Sequence, residues 1–163
     1  MKAVRNVQGA RHESRLAPKR ADPYRDTMKV AAGAACPRCR ASYEAGRWTW
    51  NSPPQDAARR LCPACRRLED DFPAGHLTLR GPFFDAHRQE VLDFVVARAE
   101  RARLEHPLQR IIGMQETAGG VLVTTTDAHL ARGLALALQQ AHKGDVDLVF
   151  SRDENFVRAS WSR

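Results

Sequence analysis

Two C-P-x-C turns, Cys36 with Cys39 and Cys62 with Cys65, constrain this chain more than any other feature. Two residues between cysteines let one tight turn aim both sulfurs at a single ion, and two such turns complete a tetrahedron with Zn–S distances of about 2.3 Å. Proline after the first cysteine of each pair fixes φ before any metal arrives. The spacing predicts a closed four-cysteine zinc ribbon over residues 34–75. Its Zn²⁺ would be structural, because four thiolates leave no open coordination position for hydrolysis. Two disulfides or a redox pair are the competing readings. No apolar leader core precedes Cys36 to suggest an oxidising compartment, and a redox C-x-x-C would use one pair and leave the other idle.

Charge points to a partner. The 163 residues carry a formal net charge of +7. Most of it lies in residues 1–33, where Lys2, Arg5, Arg11, Arg15, Lys19, Arg20, Arg25 and Lys29 face only Glu13, Asp22 and Asp26. Apolar residues there keep no helical or strand period, and Pro18 and Pro23 interrupt any helix. The segment reads as a basic, disordered arm, with Arg11, Arg15, Lys19, Arg20 and Arg25 as candidate RNA contacts. A second basic group surrounds the knuckles: Arg38, Arg40, Arg47, Arg66 and Arg67 are candidate phosphate contacts, with Arg59 and Arg60 nearby. No apolar run approaches the ~18 residues of a membrane span. A cytoplasmic protein with no membrane partner is expected.

Within the ribbon, Gly46 reads as a turn and Arg47–Trp50 as a short strand. Trp48 and Trp50 should share one side of it and shield the metal. Residues 76–163 form a second module with clear periodicity. His76–Arg80 alternates as a strand and ends at Gly81-Pro82. Residues 84–105 predict a helix with Val91, Leu92, Phe94, Val95, Ala99 and Ala102 on its apolar stripe, stopped by His106-Pro107. Residues 110–116 and 120–125 flank a turn and form a hairpin. Thr126 or Asp127 caps a second helix that buries Leu130, Leu134, Ala137 and Leu138 and closes on Gly144. Strands follow at 146–150 and 156–161. The predicted fold class is α+β: the zinc ribbon followed by a ferredoxin-like β-α-β-β-α-β sandwich on an antiparallel sheet, with an extra C-terminal strand.

No catalytic set emerges. The six histidines form no H-x-x-H pair, and no phosphate-binding glycine loop is present. The chain reads as non-enzymatic, with no small-molecule substrate.

The ordered motifs resemble a known family. Residues 36–50, CPRCRASYEAGRWTW, look like the C-x2-C-x-x-x-[YF]-x-x-G-x-W zinc segment of the archaeal and eukaryotic large-ribosomal-subunit export adaptors, the NMD-three family. Residues 62–72, CPACRRLEDDF, resemble its second knuckle, and residues 120–132, GVLVTTTDAHLAR, its strand and Ala-His helix. The chain would be a minimal, bacterial-type relative. The resemblance implies association with the large ribosomal subunit through rRNA and ribosomal proteins, in assembly, quality control or hibernation. Export activity is not carried over, since the family's export signals have no counterpart here. The alternative is a zinc-ribbon protein-interaction or stress-response module that binds no RNA.

Overall fold

The fold is described from a computed structural model over residues 5–6 (backbone only), 22–24, 30–151 and 155–163. The candidate contacts Arg11, Arg15, Lys19, Arg20 and Arg25 lie outside the described residues. Arg5–Asn6 (β1) is a two-residue strand of the leader. The cysteine module opens on a hairpin, Ser42–Glu44 (β2) with Arg47–Thr49 (β3), paired antiparallel. Gly46 takes φ 82° in the turn, a left-handed conformation glycine adopts without penalty. Pro63–Asp70 (α1) starts inside the second knuckle, a helix that the sequence reading did not anticipate.

The second module keeps the predicted order of elements. Gly75–Arg80 (β4), Ile111–Thr117 (β5), Gly120–Thr125 (β6), Asp145–Ser151 (β7) and Phe156–Ser162 (β8) form one sheet with β1, in the order β1-β7-β8-β4-β6-β5. Gly120, at φ 147°, opens β6 where a side chain would run into the carbonyl of Leu79. The helix predicted from residue 84 is two helices, Pro82–Ala86 (α2) and Arg88–Glu105 (α3), broken at His87, whose φ and ψ of −121° and 30° leave the helical region. Ala128–His142 (α4) begins at Asp127, whose carboxylate accepts from the Leu130 N–H at 3.0 Å. It ends at Lys143 (φ 63°) and Gly144 (φ 90°).

The sheet corrects one expectation. It is mixed, not antiparallel: β8 lies between β7 and β4, antiparallel to the first and parallel to the second. The reason lies in its side chains. Val157, Ala159 and Trp161 alternate toward the helices, and a central slot beneath α4 buries all three. The indole N–H of Trp161 donates to the Lys143 carbonyl at 2.7 Å, so its one polar atom is satisfied inside. Leu77, Leu79, Val121, Val123, Val91, Val95, Leu134 and Leu138 complete this core. Both predicted helix stripes face it, except for Ala137, which is buried outside this cluster.

Candidate metal centre

Each knuckle is built by local geometry. After Cys39 the chain reverses through Arg40 at φ 67°, and the Arg40 N–H donates to the Cys36 carbonyl at 2.9 Å. The Cys36 N–H donates to the Ala41 carbonyl at 2.8 Å, closing the loop. The second knuckle is a helix start. Cys62 is the N-cap of α1, Pro63 is its first residue, and the Cys62 sulfur accepts from the Cys65 N–H at 3.4 Å. The orphan amides and the positive end of the helix dipole favour negative charge on that sulfur. The Ala35 carbonyl accepts from the Arg60 N–H, which holds the two knuckles against each other.

The four Sγ atoms of Cys36, Cys39, Cys62 and Cys65 lie within 4.8 Å of one another, and none forms a disulfide. A zinc–thiolate tetrahedron has sulfur–sulfur edges of about 3.8 Å, from Zn–S bonds of about 2.3 Å. The Cys39 to Cys62 distance is 3.8 Å. The donor set therefore fits a tetrahedral soft-metal centre. Trp48, only 7% exposed, packs into this cluster and shields it as expected, with Tyr43 edge-on at 5.5 Å. Trp50 does not share that task. It is 38% exposed, and its indole N–H donates to the Arg103 carbonyl of α3 at 2.6 Å.

Sequence reading missed Arg110. This residue enters from the second module, just ahead of β5, and is 8% exposed. Its Nη1 donates to Cys65 Sγ at 3.2 Å, and its Nη2 lies 3.9 Å from Cys62 Sγ. The rest of the fork is fixed: Nε donates to the Pro107 carbonyl at 2.9 Å, and the backbone N–H to Thr126 Oγ1 at 2.9 Å. Burial opposes the charge on Arg110, but its hydrogen bonds to cysteine sulfur outweigh that and raise its pKa. The shared Cys39–Cys62 hydrogen bond holds Cys39 down at about 4 and pushes Cys62 up; burial raises Cys65. The one signal in the sequence was a lone arginine beside the apolar pair Ile111 and Ile112.

The predicted knuckle arginines divide. Arg40 and Arg47 are exposed. Arg38 is exposed and pairs with Glu69 at 2.8 Å. Arg66 is half-buried and donates to the Tyr24 carbonyl at 2.8 Å. Arg67 is 3% exposed: its guanidinium binds Asp22 at 2.6 Å and the Phe72 carbonyl at 3.0 Å, and stacks 4.4 Å from the Tyr24 ring centroid. Arg67 thus leaves the set of candidate phosphate contacts, because both ends of its fork are spent inside the protein.

No family model, curated protein or solved structure matches the chain. Fold and site together define an α+β protein carrying a four-cysteine centre that can hold a metal ion. Among the described residues, no helix is long and apolar enough to cross a membrane.

Proposed function

We propose that the protein is a non-enzymatic, zinc-stabilised RNA-binding protein that associates with the large ribosomal subunit. One observation carries the reading: the cysteine centre holds exposed cations, Arg40, Arg47 and Arg38, on its outer turns. Zn²⁺ held by Cys36, Cys39, Cys62 and Cys65 would supply folding free energy to a module too small to bury a core of its own. Arg110 would offset the net negative charge of a Zn(Cys)₄ group from the inside. The outer arginines then remain available to phosphates. The Arg38–Glu69 pair is a surface pair of small net worth, so a phosphate can compete for Arg38. The choice of the large subunit rests on the resemblance of residues 36–50, 62–72 and 120–132 to the NMD-three family.

Co-sedimentation of the zinc-loaded protein with large subunits across a salt series tests this. Each neutralised phosphate should contribute close to one unit of slope in log affinity against log salt. Arg40→Gln with Arg47→Gln should flatten that slope. A flat dependence, with binding lost on Phe72→Ala and indifferent to the arginines, would instead favour a protein partner. Phe72 is the feature that such a partner would use, standing half exposed beside α1.

A further inference from the structure

A second cationic site lies well away from the cysteines in sequence, between the two long helices. Arg98, Arg101 and Glu105 of α3, His106 and Gln109 beyond its end, and His129 of α4 rim a cleft of about 310 Å³. Its apolar lining comes from Ala102, Leu130 and Leu134. A volume near 300 Å³ is the lower end of the range for small-ligand sites.

One feature points to an anion. Neither Arg98 nor Arg101 has an ion-pair or hydrogen-bond partner among the described residues, although Glu105 lines the same cleft. Unpaired planar guanidiniums at a concave rim match the oxygens of a phosphate. Gly133 also lines the cleft, from within α4. A Cβ built there meets no atom within 4 Å. Packing therefore does not require glycine, and glycine is a poor helix former.

We infer that this cleft binds the phosphate of a nucleotide, with Arg98 and Arg101 as its cationic contacts. The inference goes beyond the ribbon-side reading and does not depend on it. Free nucleotide and an RNA end share this chemistry, and the test separates them.

The zinc-loaded full chain is followed by NMR at the ε1 protons of His106 and His129 during titration with adenosine 5′-monophosphate, adenosine, and a 5′-phosphorylated tetranucleotide. The monophosphate, the oligonucleotide or both should shift the two histidines saturably, and adenosine should not. Response to the monophosphate identifies free nucleotide as sufficient; response to the oligonucleotide alone identifies an RNA end. Arg98→Gln with Arg101→Gln should weaken binding at least tenfold with an unchanged melting profile. Gly133→Gln should block it, whereas Gly133→Ala should keep it and raise the melting temperature. Arg40→Gln with Arg47→Gln should leave these isotherms unmoved, so the two sites fail or stand separately. Equal response to adenosine, no response to either phosphate ligand, or full binding by the double arginine variant would overturn the inference.

Discussion

The guanidinium of Arg110 sits 3.2 Å from the sulfur of Cys65, although 45 residues separate them in the chain. This contact ties the cysteine module to the sheet. Trp50 does the same from the other direction through the Arg103 carbonyl, and Leu108 packs against the cysteine cluster.

Arg110→Ala should therefore weaken metal retention without touching a ligand. Hydrogen bonds to charged groups contribute about 1.5–3 kcal/mol, and loss of an outer partner to a metal ligand typically costs about 10–100-fold in affinity. Chelator competition measures this. Arg110→Lys should recover only part of the loss, because an ammonium keeps the charge but not the fork. Wild-type retention in Arg110→Ala would show that the contact is idle.

Cys62→Ser separates two roles of one residue. Serine is a good N-cap, so the start of α1 should survive, while a thiolate is lost from the centre. Metal uptake, measured by elemental analysis after loading with Zn²⁺, should fall to near zero. The α/β module should still melt cooperatively, since its core contains none of the cysteines.

Arg67→Ala and Arg40→Gln should have opposite signatures. Truncating Arg67 strands Asp22 and opens a buried site, at a cost of about 2–4 kcal/mol. At about 2–4 °C per kcal/mol, the melting temperature should fall by roughly 5–15 °C. Arg40→Gln should leave the melting temperature alone and change only the salt dependence of the proposed RNA binding. Thermal denaturation of both variants decides the matter.

His76 should titrate below its ordinary 6.5. Burial lowers its pKa, and the nearby Arg158 charge lowers it further. Its ring is edge-on to Phe156 at 4.8 Å. A depressed folded-state value means that protonation favours the unfolded chain. The contribution of His76 to stability is thus complete above pH 6.5 and is lost as pH falls through the folded-state pKa. NMR titration of the His76 ε1 proton checks the direction, and Arg158→Ala should raise the midpoint.

The sequence by itself determined the four candidate ligands, the packing of Trp48 beside them, the two helix stripes and the order of strands along the chain. Each of these is written in local spacing: cysteines two apart, apolar residues at helical or alternating period, and Asp127 just ahead of a helix. Tertiary structure alone decided the rest. Residues 156–161 read as a strand, but only the competition to bury Trp161 and Ala159 places it between β7 and β4. Arg66 and Arg67 are neighbours in the same basic run, yet only packing against Asp22, Tyr24 and Phe72 takes Arg67 inside. Arg110 became part of the metal centre because the two modules meet there. Local spacing records what a residue's own turn of backbone requires, and it holds no trace of which distant charge will be waiting when the chain closes.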